Sequence, residues 1–161
     1  FDRGVGGLVL EIRKVGDPVL RMRALPLKRI GASMRTLADN MLDTMYAAEG
    51  VGLAAPQVGI PVRIIVIDVG EGPVTLFNPC IVRRAGESIL REGCLSMPGV
   101  TGEVARSEEV VVEALAPNGE GSQWIEAEGL LARALQHEID HLNGVLFIDK
   151  ATNILEEQAD E

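Results

Sequence analysis

Apolar residues recur at spacings of three and four through Ile30, Met34, Leu37, Met41 and Met45, which places them on one face of a helix that Gly50 would stop. The methionines on that face read as core filling. Upstream, Leu8 to Ile12 reads as extended chain and Gly16-Asp17-Pro18 as a turn. Downstream, Gly50-Val51-Gly52-Leu53-Ala54-Ala55-Pro56-Gln57 holds too much Gly and Pro for a helix interior and is predicted to be a loop, followed by a β-branched strand from Arg63 to Asp68. Gly70-Glu71-Gly72-Pro73 turns into Val74 to Phe77, and further strand-like runs cover Ile81 to Arg84, Val110 to Leu115 and Gln123 to Ala127, with Pro117-Asn118-Gly119 as a hairpin turn. Gly129 to Leu142 is predicted to be a second helix, ended near Gly144. Two helices around a block of short strands, without regular strand-helix alternation, predict an α+β fold with mainly antiparallel sheet.

The second helix carries the candidate chemistry. On it Leu131, Leu135, Glu138 and Leu142 form one row and Leu130, Ala134, His137 and His141 the next, so three polar groups fall on the core side. Buried without partners they would cost several kcal/mol, about 2–7 for a single unpaired polar group. His137-Glu138-Ile139-Asp140-His141 puts two imidazoles one turn apart, where they can share one ion, with Glu138 beside them and within reach of an activated water.

Length and composition narrow the setting. The 161 residues fit one domain, taken as 8–150, with Phe1 to Gly7 as a processed or leftover end and 151–161 as an acidic, solvated tail or frayed short helix. No apolar run is long enough to cross a bilayer, so no membrane partner is expected. The formal charge of -9 opposes binding to phosphate backbones, which excludes a sequence-specific nucleic-acid reader. That acidity is local: nine basic and eight acidic residues stand up to position 80, six and sixteen after it. Two Cys and two His are the whole stock of sulfur and imidazole ligands, too few for a disulfide framework and consistent with a reducing, cytoplasmic compartment.

A catalytic ion needs a third protein ligand. In a metzincin-type protease this would be a His six residues beyond His141, but Phe147 stands there. A thermolysin-type arrangement would need a downstream Glu, for which Glu156 and Glu157 are the candidates. The third class is thiolate, and Cys94 lies in the glycine-containing segment Glu92-Gly93-Cys94-Leu95-Ser96. Cys80 reads as a buried apolar filler; the alternative, a closed structural zinc site of Cys80, Cys94, His137 and His141, has an unusual thirteen residues between its cysteines and leaves Gln57 and Glu138 without a purpose.

Three segments together, GVGLAAPQ at 50–57, EGCLS at 92–96 and QHEIDHLNG at 136–144, resemble the peptide deformylases, specifically their compact bacterial class, with weaker agreement at Gly16 to Leu20 and Phe77-Asn78-Pro79. The resemblance implies a hydrolase that removes the formyl group from the N-terminal formyl-methionine of newly made proteins, releasing formate. It implies Cys94, His137 and His141 as metal ligands, Glu138 as general acid and base, and Gln57 with the Leu95 backbone N–H as oxyanion donors. Substrate contacts are expected from Gly50, Val51, Gly52, Glu92 and Gly93, and from Leu130 and Ala134 on the helix. The implied ion is Fe(II), with Zn(II), Ni(II) or Co(II) as substitutes, and the implied partners are N-formyl-methionyl nascent peptides with a transient encounter with the ribosome. Around the ligands, Arg106 is expected to pair with Glu92, and Asp140 either to orient an imidazole or to stand as a plain surface carboxylate. Two departures stand out. Where some members carry a peptide-gripping Arg seven residues beyond the metal-binding Cys, this chain has Thr101, and its C-terminal end is acidic where some members have a basic helix that docks on the ribosome.

Overall fold

The computed structural model describes residues 8–157. The expectation for residues 1–7 lies outside them. Helix α1 spans Ala32–Ala47 and helix α2 spans Gly129–Leu142. Between them runs a three-stranded antiparallel sheet of β1 (Gly52–Ala54), β2 (Ile64–Ile67) and β3 (Val74–Phe77), with β2 in the middle. All four β2 residues are buried, and their alternation divides the core. Ile65 and Ile67 join Leu135, Ile139 and Leu142 of α2, while Ile64 and Val66 join Leu37, Met41 and Met45 of α1. A strand apolar on both faces is therefore covered by one helix on each, and α2 lies directly against the strand that follows the first glycine-rich motif.

Two further antiparallel sheets complete the fold. One contains β4 (Cys80–Ala85), β7 (Glu109–Leu115) and β8 (Ser122–Glu128); on β7, Val110, Val112 and Ala114 point into the core. The other contains β5 (Ser88–Cys94), β6 (Met97–Arg106) and β9 (Thr152–Glu156), with β6 central. The architecture is α+β with short antiparallel strands and two helices, the second of them C-terminal. No helix among the described residues is long and apolar enough to cross a membrane.

Several local expectations are corrected. Gly50 to Gln57 is not a plain loop: Gly52–Ala54 pairs with β2, and Ala55–Val58 makes one 3-10 turn. The first helix ends at Ala47; Glu49 takes the left-handed conformation at φ 58, and the Gly50 N–H donates to the Met45 carbonyl at 2.9 Å. The acidic end is neither a solvated tail nor a short helix as far as Glu156, since β9 pairs with Val100 to Glu103 of β6. Its side chains are exposed, but its backbone completes the sheet. Cys80 is exposed at the start of β4 and fills no core. The turn after α2 does depend on glycine: Gly144 has φ +74, and a Cβ there would lie 2.6 Å from the Arg21 carbonyl oxygen.

Candidate metal centre

Periodicity on α2 determines what reaches the site. The helix buries Leu135, Ile139 and Leu142 in the core, and the same register turns His137, Glu138 and His141 inward. Cys94 arrives from the other side, at the end of β5, where the pairing with β6 shifts between Gly93 and Cys94. Such an irregularity re-aims a side chain. Cys94 Sγ lies 3.3 Å from His141 Nε2, and one ligand atom from each of Cys94, His137 and His141 falls within 4.8 Å of the others. Ligands at zinc-type bond lengths around a tetrahedral ion sit about 3.5 Å apart, so this donor set fits a single divalent ion.

A second observation fits the same ion. Glu138 Oε1 is buried with no hydrogen-bond partner, an arrangement that is costly unless something polar occupies the space it faces. Burial pushes the Glu138 carboxyl up to about 7, against the pull of His137 and Arg106. Burial also disfavours charge on His137, yet Glu138, Cys94 and Glu92 around it push its pKa up to about 10. His141 is held well below its ordinary value by burial and by His137. The Cys94 sulfur, the two imidazoles and the unpartnered Glu138 oxygen thus converge on one place, a donor set that could hold a cation.

Gln57 comes from the 3-10 turn after β1. Its Oε1 accepts from the Ala54 N–H at 2.9 Å, which fixes the amide so that Nε2 faces Ser96 Oγ at 3.1 Å and Cys94 Sγ at 3.5 Å. The donor end therefore points at the ligand cluster.

Behind His137, Glu92 is the hub of a buried ionic cluster. Its Oε1 accepts from His137 Nδ1 at 2.9 Å and from Arg106 Nη2 at 2.9 Å; its Oε2 accepts from Arg106 Nε at 2.6 Å and Arg133 Nη1 at 2.5 Å. Burial works against the Glu92 charge, but the hydrogen bonds from His137 and Arg106 overcome it and hold the carboxyl at about 2. Arg106 continues to Asp140 at 2.9 Å, and Lys150 meets the same Asp140 oxygen at 3.0 Å. Asp140 thus binds two cations, whereas the carboxylate that orients an imidazole is Glu92.

Cys94, His137 and Glu138 line a cavity of about 460 Å³, bordered by Gly50, Val51, Gly52, Leu95, Leu130, Arg133 and Ala134, with Glu92 and Gly93 at its β5 side. Every residue named for substrate contact in the sequence borders it, although Leu130, placed there on a core-facing row, is an exposed lip residue. Cys80 stands apart from the cluster, and Glu156, on β9, is exposed. Thr101 Oγ1 accepts from Arg91. Two residues escaped sequence reasoning. Ser96 is fully buried beside Gln57, with no signal in its type; Arg133 lies one turn before His137, and a charged residue four positions from a ligand on a core-facing helix was a readable cue.

Comparison with known proteins extends the geometry. Residues 9–157 match the model of the polypeptide deformylase family. The peptide deformylase of Desulfitobacterium hafniense is 59% identical over 143 residues, covering 89% of this chain and 95% of the relative. That of Halothermothrix orenii is 58% identical over 151 residues, covering 92% and 97%. Among solved structures, the peptide deformylase of Thermotoga maritima superposes with a TM-score of 0.86 at 46% identity, over 89% of this chain and 98% of that one. The Synechococcus elongatus enzyme, solved in complex with actinonin, gives 0.87 at 47% identity, over 94% and 85%.

Proposed function

Since the chain belongs to the polypeptide deformylase family and is a hydrolase that removes the N-formyl group from nascent peptides, we propose that Cys94, His137 and His141 hold its single metal ion and that Glu138 moves the protons of the reaction. The observation that carries this reading is the convergence of three ligand atoms within 4.8 Å, two of them from residues that line the cavity, beside a buried carboxylate oxygen that has no partner. An ion bound there supplies Lewis acidity, lowering the pKa of water and polarising the formyl carbonyl.

The chain's own groups account for the rest. Glu138, with its carboxyl raised to about 7 by burial, is poised to take a proton from the attacking water and return it to the leaving amine. Negative charge growing on the formyl oxygen is met by the Gln57 amide, whose orientation is fixed at Ala54, and by the Leu95 backbone N–H. One such donor lowers the barrier by about 3 kcal/mol. Glu92 accepts the Nδ1 proton of His137 and so commits Nε2 to the ion. Val69, Leu95, Leu130 and Ala134 give the cavity apolar walls suited to a methionine side chain, while Gly50, Gly52 and Gly93 bring backbone close to a peptide.

A thiolate with two imidazoles suits both Fe(II) and Zn(II). Fe(II) is the physiological ion in this reading, with Zn(II), Ni(II) and Co(II) as substitutes. Susceptibility of Cys94 beside Fe(II) to oxidation favours a reducing cytoplasm, and the acidic surface favours a brief encounter with the ribosome over stable attachment. Formate release from a formyl-methionyl peptide, measured on anaerobically prepared protein before and after removal of the ion, tests the assignment. Retained activity in ion-free protein would reject it.

A further inference from the structure

The buried cluster behind His137 contains one cation more than Glu92 requires for its own hydrogen bonding. Arg106 alone grips the carboxylate with two parallel bonds, from Nε to Oε2 and from Nη2 to Oε1. Arg133 nevertheless adds a third guanidinium bond, to Oε2, and is itself only 7% exposed. Its other donors are committed to two different strands: Nη1 also donates to the Val104 carbonyl of β6 at 3.0 Å, and Nη2 donates to the Ser88 carbonyl at 2.8 Å and Ser88 Oγ at 3.1 Å on β5. A buried guanidinium brings a large desolvation cost, and a whole buried ion pair can often be replaced by apolar side chains of similar volume without loss of stability, although removing one partner alone is costly. Holding the helix against the strands does not by itself call for a charge here.

We propose that Arg133 is a positioning residue for the metal site, acting through Glu92. It sits one helical turn before His137, so the fork that fixes Glu92 Oε2 and the ring that donates to Glu92 Oε1 share one rigid helix. The carboxylate is held between them at a set height along α2, and its position on β5 is fixed through Ser88, four residues earlier on the same strand. Glu92 in turn lies two residues before Cys94. One side chain therefore ties together the helix that carries His137 and His141 and the strand that carries Cys94, and keeps His137 Nδ1 engaged, which would leave Nε2 free to hold an ion. Lys could not do this: it presents a single point of donors where the fork reaches Glu92, Val104 and Ser88 together.

This inference rests on the metal assignment above. Its test is Zn(II) affinity of metal-stripped protein, measured by chelator competition on the wild type, Arg133→Met, Arg133→Lys and Ser88→Ala, with circular dichroism of each ion-free protein. Arg133→Met should stay folded and bind Zn(II) about 10–100-fold more weakly, the usual effect of losing a group that orients a metal ligand. Reloaded, it should show reduced kcat on a formyl-methionyl peptide. Ser88→Ala, which loses only the hydroxyl contact, should keep wild-type affinity. Should Arg133→Met fail to fold, Arg133→Lys decides, with an expected loss of at least about fivefold. Wild-type affinity in the Arg133 variants, or an equal loss in Ser88→Ala, would overturn the positioning role. Failure of the wild-type chain to bind Zn(II) would overturn the metal assignment itself, and this inference with it.

Discussion

Gly52 lies directly against the carboxylate of Glu138: a Cβ at position 52 would stand 3.0 Å from Glu138 Cδ and closer still to Oε2. The first glycine-rich motif and the α2 motif, 86 residues apart in sequence, thus meet at this contact. Gly52 needs no left-handed conformation, so alanine would fit its backbone and act through the collision alone. Gly52→Ala should displace the carboxylate and reduce kcat by about 10–100-fold while costing about 1–3 kcal/mol of stability, as overpacking does. Steady-state kinetics and urea unfolding of one preparation check it; undiminished kcat would show that Glu138 tolerates displacement.

Glu138→Gln keeps the shape of the side chain and removes its ability to accept a proton. The ion should remain at the wild-type ratio while kcat falls about 10²–10⁴-fold. Metal analysis beside a formate assay distinguishes this from a ligand defect, which would lower both.

The two cysteines should behave oppositely. Cys94→Ser exchanges a thiolate for a weak hydroxyl ligand and should impair ion retention during dialysis, whereas Cys80→Ser, at an exposed position outside the cluster, should leave both retention and activity unchanged. Ion loss in the Cys80 variant would revive a closed four-ligand site.

Glu92 links acid stability to the cluster. Its pKa is depressed in the folded chain, from 4.5 to about 2, so its stabilisation is fully present above pH 4.5 and is lost as pH falls toward 2. For ion-free protein this amounts to on the order of 2 kcal/mol lost between pH 6 and pH 3. Urea midpoints across that window should fall steeply for the wild type and less for Glu92→Gln. Parallel slopes would mean that Glu92 is not held in its charged state by the fold.

Both helices, β2 and the closeness of His137 to His141 were legible because each rests on a local pattern. Ile64 to Ile67 is apolar on both faces because helices cover both, and the i, i+4 histidines are close by helix geometry alone. The β5–β6 hairpin was missed for the opposite reason. Glu92 and Arg106 interrupt the apolar alternation, yet both are buried because they neutralise each other across the sheet, and Pro98, Gly99 and Gly102 break the pattern of β6 further. β9 carries no apolar alternation, since its two apolar residues, Ile154 and Leu155, are adjacent and exposed while its backbone pairs with β6. For Asp140 the sequence left two directions open, toward a neighbouring imidazole or out to the surface. Only the fold brings Arg106 and Lys150 to it.

The most direct test of the account is formate release from a formyl-methionyl peptide by anaerobically purified protein, with the metal content of the same sample determined. The account predicts about one ion per chain, loss of activity on chelation and recovery on adding back one equivalent of Fe(II). Full activity from chelated protein, or an ion content unchanged in Cys94→Ser, would contradict it.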